Sequence, residues 1–165
     1  MMEEKEKAWK TVSSKYLFRR PWLTVRCEDM LLPNGNHIPE YYILEYPDWV
    51  NTIAITKDGK FVFVRQYRPG LGRTSYELCA GVCDKEDASP LVSAQRELWE
   101  ETGYGKGNWQ EYMVISANPS THTNLTHCFL ATDVEPIDHQ HLEDTEDLSV
   151  HLLTFERSET TAGKQ

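Results

Sequence analysis

Glu97, Glu100 and Glu101 stand at i, i+3 and i+4 in one short segment, PLVSAQRELWEET. Residues three and four apart stack on the same helical face, so three carboxylates would converge within a few ångströms. Like charges so placed repel unless a cation sits among them, and a Glu-rich helix face is most often a solvated surface. The surroundings argue otherwise. Arg96 adjoins Glu97, a tight Ala80-Gly81 pair precedes the helix through a loop carrying Glu86 and Asp87, and Gly103 follows its last turn. Carboxylate oxygens and a backbone carbonyl suit Mg²⁺ or Mn²⁺, hard cations that also bind substrate phosphates. That is equipment for metal-assisted pyrophosphate chemistry.

The segment that must carry these groups opens at Ser89-Pro90, an N-cap followed by proline at the first helical position. It closes at Gly103, where a C′ glycine belongs, which predicts a helix over 89–102 with Leu91, Ala94 or Gln95, Leu98 and Thr102 toward a core. Period-2 alternation predicts five strands before it, at 9–18, 23–31, 38–45, 50–56 and 61–67. The breaks fall at Arg20-Pro21, Pro33-Asn34-Gly35-Asn36, Tyr46-Pro47-Asp48 and Lys57-Asp58-Gly59-Lys60. Three more strands are read after the helix, at 111–116, 127–132 and 148–155, with a polar loop at 118–126 and an acidic run, Glu143-Asp144-Thr145-Glu146-Asp147, before the last. The tail SETTAGKQ reads as loose and polar.

With 165 residues, the chain fits one domain plus an accessory sheet and can build a core without metal or disulfide staples. A formal net charge of −9, from 17 basic and 26 acidic residues, argues against a general nucleic-acid binder. An anionic substrate stays compatible with that charge where a divalent cation inverts the local field. Cys27, Cys79, Cys83 and Cys128 form no zinc framework, and His139 and His141 are only two apart in an acidic stretch. No apolar run reaches the length of a membrane span and the charged start lacks the features of a secretory signal, so a cytoplasmic protein with no membrane partner is expected.

Gly81 to Tyr104, GVCDKEDASPLVSAQRELWEETGY, resembles the Nudix box, G-x5-E-x7-R-E-U-x-E-E-x-G-U with U aliphatic. Its second half matches from Arg96-Glu97-Leu98 through Glu100-Glu101 to Gly103. Its first half carries one extra residue, which puts Ala88 at the position of the early glutamate with Glu86 and Asp87 beside it. Val64-Arg65-Gln66-Tyr67-Arg68 and Tyr76-Glu77-Leu78-Cys79-Ala80-Gly81 resemble the strand pair before the box in ADP-ribose pyrophosphatase-like members, with cysteine where those have proline. Glu146-Asp147-Leu148-Ser149-Val150 resembles their late acidic loop.

The resemblance implies an α+β fold, a Nudix-type α/β/α sandwich with a mixed β-sheet and an additional N-terminal antiparallel sheet. Residues 1–48 would form the N-terminal strands used in dimerisation and 49–165 the hydrolase domain. It implies metal held by the Ala80 carbonyl, Glu97, Glu101 and Glu100, with Arg96 bracing the cluster and Gly81 and Gly103 in structural support. The general base would be Glu146, with Asp144, Glu143 or a box carboxylate as alternatives. Substrate binding would fall to Arg68, Glu77, Trp22 and Tyr41, with Tyr42 the alternative to Tyr41; for Arg68 the competing reading is a surface ion pair, and for the aromatics it is core or interface filler. The expected reaction is Mg²⁺- or Mn²⁺-dependent cleavage of a nucleoside diphosphate linked to another moiety. A ligand-sensing module with little turnover is the alternative, and a coenzyme A or dinucleoside polyphosphate substrate a third reading. Aromatic-rich N-terminal strands, and a tail without an apolar helical stripe, lead us to expect a homodimer.

Overall fold

The computed structural model describes residues 7–157, so the tail SETTAGKQ lies outside the described residues. The chain divides into two units, one holding the segment up to Pro47 with 116–124, the other 48–115 with the segment from Leu125 onward.

In the first unit β1 (Lys10–Arg20), β2 (Leu23–Leu31) and β3 (His37–Glu45) form an antiparallel three-stranded sheet in that order. Arg20 pairs with Leu23, which leaves Pro21-Trp22 as a two-residue turn. Proline presets its first position, but Trp22 takes φ 63°, the left-handed region that glycine or asparagine normally fills. At the second hairpin Gly35 supplies φ 86° without strain, and its N–H donates to the Leu32 carbonyl at 3.0 Å. The polar loop joins this sheet: the Leu44 N–H donates to Thr121 O at 2.8 Å and the Thr123 N–H to Leu44 O at 3.1 Å.

The second unit is a mixed sheet. Its path runs β11 (Leu148–Leu153), β5 (Phe61–Arg68), β4 (Trp49–Thr56), β10 (Thr126–Pro136) and β8 (Tyr104–Gly105). β6 (Arg73–Glu77) pairs with β5, β7 (Cys79–Val82) with β4, and β9 (Asn108–Ile115) with β10. Only β4 and β10 run parallel, a pairing that needs a long crossover. Most of the intervening chain, including the helix, supplies it.

Among the described residues seven strands precede the helix, not five. β6 and β7 are short and do not alternate, and their extended state comes from pairing: Gln66 with Ser75, Asn51 with Ala80. No periodicity carries that information.

Helix α1 (Pro90–Thr102) is the long helix of the described residues, and residues 155–157, where the last strand was expected to end, are helical as well because β11 stops at Leu153. Ser89 Oγ accepts from the Val92 N–H at 3.4 Å, and Gly103, at φ 72°, donates its N–H to Trp99 O at 2.8 Å. Gly103 is required twice over, because a Cβ there would also lie 2.2 Å from the Asp138 carbonyl oxygen. Ala94, Leu98 and Thr102 are buried as expected, whereas Leu91 is exposed: the buried stripe begins one turn later, at Ser93 and Ala94. Leu98 packs among Ala54, Val62, Val64, Cys79, Ala131, Val134 and Leu148, burial worth about 1.5–3 kcal/mol for that side chain. Among the described residues no helix is long and apolar enough to cross a membrane.

Candidate active site

Glu101 lies on the same face of α1 as Leu98 and Ala94, so packing the helix on the sheet drives a carboxylate into the interior, where it is only 4% exposed. One backbone donor meets it, the Ala80 N–H at 3.3 Å from Oε2. Burial first, and then the Glu97 charge, push its pKa up to about 8. Burial also raises Glu97, and the Glu146 charge bears on both groups. Cys79, buried beside Glu101, is pushed well above the usual thiol range by burial, so its side chain stays neutral and adds no charge.

Glu97 rests directly on the backbone of β7. A Cβ placed on Gly81 would fall 2.0 Å from its Cδ and 2.2 and 2.3 Å from its two oxygens. Gly81 is therefore glycine because the carboxylate occupies the space of a side chain. The clashing atoms end a flexible chain, so Gly81→Ala should leave the fold standing and turn Glu97 away. We expect about a 100-fold loss of hydrolysis with little change in melting temperature; activity retained at wild-type level would show that the Glu97 position is dispensable.

Arg96 is the cation of the cluster. Its Nη1 lies 3.0 Å from Glu97 and 2.9 Å from Glu100, and its Nη2 lies 3.1 Å from Asp87, 3.2 Å from Asp84 and 3.1 Å from the Val82 carbonyl. Burial works against its charge, but Asp87, Glu97 and Glu100 outweigh that and raise its pKa. Burial likewise opposes the Asp87 charge, and the Arg96 guanidinium, hydrogen-bonded to it through Nε and Nη2, works against that and lowers its pKa. The loop with one extra residue thus returns a carboxylate to the arginine. Asp87 fills that place, and Asp84 joins it without any signal in the spacing.

A divalent cation fits these residues. One guanidinium faces Asp84, Asp87, Glu97 and Glu100, and none of its contacts reaches the most buried acid, Glu101. Buried Glu101, which no cation contacts among the described residues, and partly buried Glu97, whose pKa stays raised even beside Arg96, are short of positive charge, and an all-oxygen donor set suits a hard ion.

Other expected site residues are placed as follows. Arg68 is paired with Glu77, Nη2 to Oε2 at 2.6 Å and Nε to both oxygens at 3.0 Å, so each has the other as its first partner. That pair raises the Arg68 pKa further, and the Glu101 charge contributes too. Tyr41 donates its hydroxyl to the Ser120 carbonyl and meets Trp9 edge-on at 5.6 Å. Trp22 is 75% exposed. Glu146 caps its own loop, accepting from the Glu143 N–H at 2.9 Å.

Residues 46–164 match the NUDIX domain and residues 9–44 the nucleoside diphosphate sugar hydrolase N-terminal domain. The chain belongs to the Nudix family, and it is an enzyme of the Nudix pyrophosphatase type, a hydrolase of diphosphate anhydrides. It is 31% identical over 148 residues to a protein of Bacillus subtilis (strain 168) named ADP-ribose pyrophosphatase, covering 89% of this chain and 79% of that one. It is 33% identical over 122 residues to the methanol dehydrogenase activator of Bacillus methanolicus, covering 74% of this chain and 65% of that one. A solved structure titled as an ADP compounds hydrolase superposes with a TM-score of 0.83 at 20% identity, covering 97% of this chain and 85% of the other. That likeness establishes the fold: the mixed sheet with an added antiparallel three-stranded sheet.

Proposed function

We propose that the protein hydrolyses, with Mg²⁺ or Mn²⁺, the pyrophosphate bond of a nucleoside diphosphate linked to a second moiety of the ADP-ribose or nucleotide-sugar type. The products are a nucleoside monophosphate and the phosphorylated second moiety. The carrying observation is the pair of carboxyls, Glu101 buried without a contacting cation and Glu97 partly buried beside Arg96, both raised in pKa against the backbone of β7. A bound divalent ion supplies neutralisation of the diphosphate oxygens and acidifies a water for attack. Glu97, Glu101 and the Ala80 carbonyl would hold that ion, and Glu100 would bind it directly or through water. Arg96 keeps Glu97 and Glu100 oriented. Glu146 accepts the proton of the attacking water, being the acidic-loop carboxylate whose charge bears on both helix glutamates. Arg68, released from or shared with Glu77, binds a phosphate oxygen. The relative from Bacillus subtilis, by its name, supports ADP-ribose as the first substrate to try.

The test is a screen of nucleoside diphosphate compounds with Mg²⁺, reading released monophosphate by chromatography. Turnover of ADP-ribose or a nucleotide sugar, abolished by chelator, is the expected result. Turnover that persists in excess chelator overturns the metal mechanism, and tight binding with no product favours a sensing module.

We infer further that residues 1–48 form the dimerisation element of a homodimer. Every residue of β1 is exposed in the single chain, Val12, Leu17 and Phe18 among them. An exposed tryptophan at a left-handed turn position is a strained arrangement that a contact would explain, either with the partner copy or with substrate. Light scattering coupled to size exclusion should read twice the chain mass at micromolar protein, and a single-chain mass refutes the dimer. Trp22→Ala should raise KM and leave the metal dependence unchanged; an unaltered KM removes Trp22 from the substrate site.

A further inference from the structure

His139 and His141 are too few for a zinc site by spacing, but folding adds a third donor. Asp138, His139 and His141 each present one ligand atom, all within 4.8 Å of one another. Asp138 Oδ1 lies 2.7 Å from His139 Nδ1, and Oδ2 lies 3.0 Å from His141 Nε2. An ion bound at about 2.0–2.1 Å by nitrogen and oxygen holds neighbouring tetrahedral ligands roughly 3.3 Å apart. Closing onto one ion therefore asks little movement of these side chains.

The backbone that carries them is already fastened to the end of α1. The Ile137 and Asp138 N–H groups donate to the Gly103 carbonyl at 2.9 and 3.1 Å, and the His141 N–H donates to Glu100 O at 2.8 Å. Gln140 Nε2 donates to Glu101 O at 2.7 Å. The His141 ring lies on Trp99, centroids 4.2 Å apart, and against His139 at 4.3 Å. Two imidazoles thus stand side by side with a carboxylate between them, on a segment that cannot drift from the helix.

We propose that Asp138, His139 and His141 form a second metal site, specific for a divalent first-row transition ion of the Zn²⁺ type, separate from the all-oxygen site of the helix carboxylates. Two imidazole nitrogens and one carboxylate favour Zn²⁺ over Mg²⁺, whereas the glutamate set with a backbone carbonyl prefers the harder ion. Water completes the coordination on the solvent side. The bound ion would tie Asp138, His139 and His141 to one another, within a segment whose backbone is already hydrogen-bonded to the C-terminal turn of α1.

Isothermal titration of Zn²⁺ into the full chain, with Mg²⁺ in large excess, tests this. Wild type and Glu101→Gln should each bind a Zn²⁺ equivalent that His139→Gln/His141→Gln lacks, and Zn²⁺ should raise the melting temperature of the first two but not of the histidine variant. His139 has 79% of its side chain exposed, so His139→Gln alone cannot unfold the protein and should weaken Zn²⁺ binding at least tenfold. Equal Zn²⁺ equivalents in wild type and the histidine variant overturn the proposal. So does the absence of Zn²⁺ binding to wild type, which would leave the cluster as hydrogen bonds within a loop.

Discussion

Glu101→Gln and Glu97→Gln should each reduce hydrolysis by about a hundredfold to a thousandfold or more, because each removes an anionic ligand from the ion that neutralises the diphosphate. Glutamine is isosteric and can still accept the Ala80 N–H, so the fold survives. The stability readout should move the other way. In the absence of metal, position 101 buries an acid short of positive charge, and the neutral amide relieves it. Metal-free Glu101→Gln should therefore melt no lower than wild type at pH 8 while being nearly inactive. Wild-type turnover in both variants would reduce the helix carboxylates to a solvated face. Loss of activity together with a collapsed melting transition would assign Glu101 to folding, not to catalysis.

The second large effect is a pH-dependent dependence on metal. The Glu101 carboxyl titrates near 8 in the folded chain against about 4.5 when unfolded. A group with a raised folded pKa contributes its full stability below the unfolded value and loses it as pH rises through the folded value. Metal-free protein should accordingly weaken between about pH 5 and pH 8, by on the order of a few kcal/mol. Metal requires the ionised carboxylate, so Mg²⁺ restores what ionisation takes away. Melting curves with Mg²⁺ and with chelator should nearly coincide at pH 5 and separate progressively toward pH 8.5. In Glu101→Gln most of that separation should vanish. A gap of constant size across this range would show that Glu101 does not ionise on metal binding.

Both predictions concern residues named by spacing, yet neither effect can be sized from spacing. Ser89-Pro90 and Gly103 bound the helix because capping and left-handed termination are local chemistry, written within a few residues. The Asn-Gly and Asp-Gly turns and the alternating strands are local in the same sense, and β2 ends where alternation places it. The box from Arg96 to Gly103 put three carboxylates and an arginine on one helix whatever the rest of the chain does. Even the Ala80-Gly81 pair was legible as something tight beside that helix.

Tertiary structure decided which carboxylate is buried, what charge it feels and what holds the arginine. Glu100 and Glu101 are neighbours in sequence, but α1 packs so that Glu101 turns toward the Ala80 backbone while Glu100 stays at the rim with Arg96. Only folding shows that the loop with the extra residue before the helix brings Asp87, with Asp84, to Arg96. Strands β6 and β7 exist only as partners of β5 and β4, and the Asp138, His139 and His141 cluster exists only because the Gly103 carbonyl and the end of α1 fix its backbone. Chain-local patterns specify which groups a segment carries and which face they share. Burial, which sets a carboxylate's pKa, and register, which sets its partners, depend on surfaces that other segments supply.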